Sequence, residues 1–318
     1  MDRRDFIKIA ATTAAAAAIG PAAGTAAVPA VPTRGGELAV ADGDGTEDAH
    51  GDASGIKVRF LGTGSAQKGV DKAHLWRRRS SVLIDDSFLI DLTSSALDML
   101  PAGFHPTTIF YTHSHGDHFD PAAAIQAGVR RVLVHYTWID IARQALASAA
   151  KAAGRPMPAL EPLTMGCHLR VDNLTVTPLP ANHATANVME QPVIFLLQKG
   201  PTRLLYATDT SGLTAIASRV GGFVPKSNGP GLTALIMEAT LGTKEEHHSL
   251  FTHSSLALVE RTVRVLTAGG MLRLPQGQPV IITHLAKGNY GGATNAEINA
   301  SLPAPLQAAY DGMEVLLH

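Results

Sequence analysis

From Ile56 onward the chain alternates short runs of β-branched and aromatic residues with longer stretches whose apolar positions recur every three or four residues. A period of two sends alternate side chains to opposite faces of a strand, whereas spacings of three and four gather one face of a helix. Strands are therefore predicted at Ile56–Leu61, Ser81–Asp85, Phe88–Leu92, Thr108–Thr112, Arg131–His135, Thr175–Leu179, Val193–Gln198, Leu204–Ala207, Ala234–Glu238, Val280–Thr283 and Met313–Leu317. Helices fit Ser95–Leu100, Pro121–Gly128, Trp138–Ala153, Ser254–Ala268 and Ala296–Ala309. Asp172-Asn173 and Lys199-Gly200, each between apolar runs, are turn signals. Many strands with helices interspersed predict an α/β domain of layered sheets with helices outside.

The stretch before Ile56 has none of this periodicity. Met1–Lys8 is charged, Ile9–Gly20 is weakly apolar and Ala-rich, and Pro21–Ala27 is full of small residues, the layout of a cleavable signal peptide over residues 1–27. Its apolar part is shorter than the roughly 20 residues a bilayer requires, and no lipobox cysteine offers a lipid anchor, so no stable membrane attachment is expected. Arg3-Arg4-Asp5-Phe6-Ile7-Lys8 resembles the twin-arginine translocation motif, which implies the twin-arginine export machinery as a partner and a periplasmic or secreted location. Residues 28–55 carry Glu37, Asp42, Asp44, Glu47, Asp48 and Asp52 against Arg34 alone, and read as a disordered acidic linker ahead of one catalytic domain over residues 56–318.

Charge narrows the partners. The net charge is −1, and with the linker at −5 and the signal segment at +1 the domain holds about +3. That suits a small anionic substrate, whereas long nucleic acid asks for clustered Lys and Arg. The single cysteine, Cys167, excludes an intrachain disulfide, while 14 histidines are many for this length.

Three of those histidines stand in one hexad, His113-Ser114-His115-Gly116-Asp117-His118, directly after the apolar run Ile109-Phe110-Tyr111-Thr112. His113 and His115 can project to one side of an extended backbone, and a turn at Gly116 can bring Asp117 and His118 to a second point nearby. Imidazole and carboxylate suit Zn²⁺, Mn²⁺ or Fe. The hexad matches the His-x-His-x-Asp-His signature of the metallo-β-lactamase superfamily, and His183, Asp209 and His284 follow in order at the ends of predicted strands. The resemblance implies an αββα sandwich of two mixed sheets. It implies two divalent ions, zinc first and Mn or Fe as alternatives: one held by His113, His115 and His183, a second by Asp117, His118 and His284, with Asp209 between them and a bridging hydroxide as nucleophile. Asp91 resembles the family's upstream supporting aspartate.

Further residues point to a branch. Phe60-Leu61-Gly62-Thr63-Gly64-Ser65-Ala66 is similar to the opening loop of the tRNase Z and cyclic phosphodiesterase branch. Met237-Glu238-Ala239-Thr240 and Thr252-His253-Ser254-Ser255 resemble two of its conserved stretches, although Met237 and Ser255 depart from the pattern. This implies that His253, oriented by Glu238, assists the leaving oxygen, with Asp117 in the catalytic cage, and that homodimers are an option. No segment resembles a tRNA-gripping arm. The expectation is an exported metal-dependent phosphodiesterase for small or nucleotide-derived diesters, with an arylsulfatase, lactonase or other ester hydrolase on the same cage as the alternative. Arg77-Arg78-Arg79 is either a phosphate-binding cluster or a solvated loop.

Overall fold

Alternation along the strands decides the architecture. The computed structural model describes residues 55–67, 75–225, 229–244 and 250–318; the expected signal peptide and all of the expected linker but Gly55 lie outside them. In β1 (Ile56–Gly62), Ile56, Val58 and Phe60 enter one apolar core while Leu61 enters another on the opposite face. The same division recurs in β2 (Ser81–Ile84), β3 (Phe88–Ile90), β4 (Thr108–Phe110) and β5 (Arg131–His135), where Val82, Ile90, Phe110 and Leu133 face inward and Leu83, Leu89, Ile109 and Val132 outward. β6 (Ala159–Leu163) closes this sheet at one edge.

The second sheet holds β7 (Leu169–Val171), β8 (Leu174–Pro180), β9 (Val193–Lys199), β10 (Thr202–Ala207), β11 (Ala234–Glu238), β12 (Val280–Thr283) and β13 (Leu306–Ala308), neighbours in chain order. β14 (Glu314–Leu317) then crosses back to pair with β1, so among the described residues each sheet has seven strands. Phe195, Tyr206 and Ile236 share the central core with Phe60 and Phe110, and both sheets bury that face against each other.

Helices cover the two outer faces. α1 (Pro121–Ala127) and α2 (Ile139–Ala153) bury Ala124, Ala142 and Leu146 against the outer side of the first sheet. α3 (Ala215–Val220), α4 (Leu256–Ala268) and α6 (Asn295–Ser301) lay Ala217, Val259, Val263 and Ile298 on the second, and the short α5 (Lys287–Tyr290) follows β12. The result is the expected αββα sandwich.

Local sequence explains where the elements differ from the expectation. The helix foreseen at Ala296–Ala309 stops at Ser301, and Leu306–Ala308 is strand β13, because Pro303 and Pro305 supply no N–H to continue the helix. Ser95–Leu100 contracts to a 3₁₀ turn at Leu97–Met99, and a 3₁₀ turn at Tyr136–Trp138 precedes α2. The strands β6 and β7 and the helices α3 and α5 carried too few periodic apolar positions to be foreseen.

Candidate metal centre

Strand direction brings the chemistry to one edge. β3 and β4 are parallel, as are β10, β11 and β12, and β8 runs with β10 because each is antiparallel to β9. Asp91 follows β3, His113 follows β4, His183 follows β8, Asp209 follows β10, Glu238 ends β11 and His284 follows β12. Ligand sites form at such carboxyl ends because loops there are free to turn inward. Asp91, Asp209 and His284 take left-handed backbone conformations, with φ of 57°, 48° and 57°. That region is sparsely used by non-glycine residues and turns each side chain off its strand's line.

Ligand atoms of His113, His115, His183 and Asp209 lie within 4.8 Å of one another, and those of Asp117, His118 and His284 do likewise. Asp209 belongs to both neighbourhoods: its Oδ2 is 3.2 Å from His113 Nε2 and 3.0 Å from His118 Nε2, and its Oδ1 is 3.0 Å from His284 Nε2. Asp117 Oδ2 stands 3.5 Å from His284 Nε2. All seven residues expected from the sequence are brought together.

Hydrogen bonding fixes which nitrogen of each ring is available. His113 Nδ1 donates to Thr112 Oγ1 at 2.9 Å, since the Thr112 hydroxyl is itself given to Asp91 Oδ2 at 2.8 Å. His118 Nδ1 donates to Asp91 Oδ2 at 2.7 Å, His183 Nδ1 to the Thr252 carbonyl at 2.6 Å, and His284 Nδ1 to Thr240 Oγ1 at 2.7 Å. Each of these rings therefore turns an Nε2 lone pair inward. His118 Nε2 and His284 Nε2 face each other at 3.1 Å, and among the described residues His113 Nε2 and Asp209 Oδ1 are buried without a hydrogen-bond partner. Converging lone pairs and carboxylates are stable together only around positive charge. Burial pulls His118 down, yet Asp209, Asp91 and Asp117 hold it well above the usual histidine range, so without a cation a proton on its Nε2 takes the place of that charge and is shared with His284. The residues present fit divalent cations.

These ligands sit in a segment that a known family describes. Residues 83–274, more than half of the chain, match the model of the beta-lactamase superfamily domain. The chain belongs to the beta-lactamase superfamily. The matched segment holds every candidate ligand except His284, which β12 delivers from beyond it. No curated protein matches the sequence. Among solved structures, a diphosphatase of the PhnP family is 20% identical with a TM-score of 0.52, covering 82% of this chain and 97% of that one. Zinc-bound PqqB from Methylobacterium extorquens is 14% identical at a TM-score of 0.61, covering 81% and 99%. Unliganded yeast PDE1 is 10% identical at 0.55, covering 83% and 100%. At such identities these structures establish the shared metallo-β-lactamase fold. Family and ligand set together make this superfamily member a metal-dependent hydrolase.

Beside the cage, His253 Nδ1 lies 3.2 Å from both oxygens of the buried Glu238 carboxylate and 3.8 Å from Asp209 Oδ1. Burial pulls His253 down, but Glu238 outweighs it, with Asp209 and Asp117 adding, and the group stands at about 9. Glu238 also accepts from Thr210 N at 2.7 Å and from the Thr240 hydroxyl, which joins it to His284. Met237 points the other way, into the core under α4, and offers no ligand.

Sequence reasoning missed Glu190, which accepts from Ser114 N at 2.7 Å and Ser114 Oγ at 2.6 Å and so pins the hexad between two of its histidines. It lies 76 residues away in an unpatterned loop, with no local signal to find it. Thr112 and Thr240 lie within two residues of His113 and Glu238, but nothing in their residue type marks them as supports for the ligand rings. His105, His168 and His318 are exposed, and His135 is buried away from the centre. The cage opens into a cavity of about 690 Å³ whose walls include Arg79, His115, Asp117, Asp209, His253 and His284.

Proposed function

We propose that the chain is an exported binuclear phosphodiesterase acting on small or nucleotide-derived diesters. His113, His115 and His183 would hold one ion, Asp117, His118 and His284 the other, with Asp209 between them; imidazole and carboxylate favour zinc, with Mn or Fe sharing the donor set. Bound there, divalent cations neutralise charge on the ester and acidify water, the chemistry that ester hydrolysis at neutral pH requires.

The observation that carries the phosphodiester reading is the His253–Glu238 pair. Glu238 accepts the hydrogen bond from Nδ1–H, which leaves the Nε2–H of an imidazolium free to donate. Expelling an alkoxide from a diester is slow unless its oxygen is protonated as the bond breaks, so a cationic histidine at the cage suits this chemistry. A lactone or β-lactam ring makes less demand for it. The PhnP-family diphosphatase among the structural neighbours is in keeping with phosphorus esters.

Two diesters test the reading on protein loaded with Zn²⁺ or Mn²⁺. Bis(p-nitrophenyl) phosphate has a leaving group that needs no acid and reports the cage, with Asp117→Asn as the blank. A methyl or ribosyl alkoxide as leaving group reports His253. His253→Ala is expected to lower the alkoxide reaction by about 10²–10⁴ and the nitrophenolate reaction far less. Equal effects on both would remove the acid role, and no turnover of either diester would move the proposal to sulfate esters and lactones. Export through the twin-arginine route, proposed from Arg3 and Arg4, predicts that a Lys-Lys replacement retains the protein in the cytoplasm on cell fractionation.

A further inference from the structure

The three consecutive arginines have unequal surroundings. Arg77 is buried, stacks over Trp76 with its guanidinium 4.7 Å from the ring centroid, and donates to Thr63 Oγ1 at 2.9 Å, the Ala309 carbonyl at 2.6 Å and Asn295 Oδ1 at 3.0 Å. Arg78 grips Asp98 with two bonds, of 3.2 and 2.6 Å, and stands 3.9 Å from Asp311. Both are consumed in holding the loop before β2 against the rest of the domain. Among the described residues Arg79 has a single side-chain bond, from Nη1 to the Gly116 carbonyl at 3.3 Å, and its Nε is buried without a partner. Among the described residues no carboxylate lies within ion-pair distance of it.

The backbone that carries Arg79 is held closely. Its N–H donates to Ser95 Oγ at 3.1 Å, it pairs with Gly64, and its carbonyl lies where a Cβ on Gly62 would come within 2.0 Å. A fixed stem thus presents a guanidinium with most of its five donors uncommitted to the cavity shared with His115, Asp117 and His253. Guanidinium does not lose its proton, and it is matched to carboxylate and phosphate oxygens. Tethered at the Gly116 carbonyl, it stands beside the ligand loop and in the same cavity wall, while the reacting ester belongs to the cage and His253.

We propose that Arg79 is a specificity residue that receives a second oxyanion, carboxylate or phosphate, on the part of the substrate that is not expelled. The natural substrate is then a diester bearing at least one further negative charge. This rests on the phosphodiesterase reading above for its reaction, but not for its binding.

Matched synthetic diesters separate the two. p-Nitrophenyl phenyl phosphate is compared with analogues carrying a carboxylate at the ortho, meta or para position of the spectator ring, using the metal-loaded full chain. The best carboxylated analogue is expected to show a KM about tenfold or more below that of the parent, with kcat little changed. In Arg79→Gln the ratio collapses to about one. Arg79→Lys keeps part of it, and Arg78→Gln, whose partner is Asp98, keeps all of it. No preference in the wild type for any analogue, or a preference that survives in Arg79→Gln, overturns the proposal. If none of the diesters is turned over, the phosphodiesterase reading falls, and calorimetric titration of the same diesters still decides on Arg79: about tenfold tighter binding of one carboxylated analogue, lost in Arg79→Gln, sustains it, and equal binding removes it.

Discussion

Asp91 shows how much of the centre is set by residues that are not ligands. Its carboxylate accepts from His118 Nδ1, from Thr112 N at 2.8 Å and from Thr112 Oγ1, which in turn fixes His113. One buried anion therefore aims the Nε2 lone pairs of two ligands, one in each proposed metal position. Asp91→Asn keeps the shape and tolerates the left-handed backbone, but its amide nitrogen cannot accept: at the Oδ2 position it deprives both rings of the bond that fixes their tautomer, and at the Oδ1 position it leaves the Thr112 N–H unpaired. Metal affinity measured by competition with a chelator is expected to fall about 10–100-fold. An unchanged affinity would show that the ring orientations are set elsewhere. His135 is a separate matter: 2% exposed and with Nε2 unpartnered, it is pushed down by burial to about 4. Its folded value is depressed below the unfolded one, so the unfolded chain takes up the proton first on acidification. Stability is then complete above pH about 6.5 and declines as the pH falls towards 4, by on the order of 2–3 kcal/mol. His135→Leu should flatten that part of the profile relative to wild type in denaturant melts taken at each pH.

At the scale of elements, α1 begins where the metal loop ends, and Asp120 serves both. Its Oδ1 accepts from Ala123 N at 3.1 Å as the helix cap and its Oδ2 from Ser94 N at 2.9 Å in the loop after β3. Asp120→Ala is expected to cost about 1–2 kcal/mol in chemical denaturation, more than a cap alone because the Ser94 amide also loses its acceptor. A cost near zero would mean that water replaces both bonds. This segment also illustrates what could be read from the chain. α1 was legible because Pro121 and Gly128 bracket it, and the ligand strands were legible because each ends in an apolar run followed by a ligand. β6 was not: Glu161 and Pro162 interrupt its alternation, and it is an edge strand held by pairing to β5. β13 was hidden by an apolar spacing that fits a helix equally well until Pro303 and Pro305 are given their weight. Of the site, the ligands stood in motifs, whereas Glu190 and the Thr252 carbonyl reach the centre only through tertiary folding.

For the whole molecule, the centre is a joint between the two sheets. The hexad comes from the first sheet, and His183, Asp209 and His284 come from the second, so cations bound at this edge would tie together halves that share the apolar core between them. With no cation, Asp117 and Asp209 oppose each other across inward-facing imidazole nitrogens, an arrangement that costs folding energy. Binding of metal to the native state alone adds about 4 kcal/mol of stability at a free concentration 1,000 times the dissociation constant. For a domain of this size each kcal/mol moves the melting temperature by about 2–4 °C. Chelation should therefore lower the melting temperature by about 8–16 °C, and restoring Zn²⁺ should return it. Asp209→Asn, which weakens the residue common to both neighbourhoods, should melt low and respond little to chelator. A wild-type melting temperature indifferent to chelation would place the joint's strength wholly in the apolar core, and the strained backbone at Asp209 and His284 would then be sustained by packing rather than by bound cations.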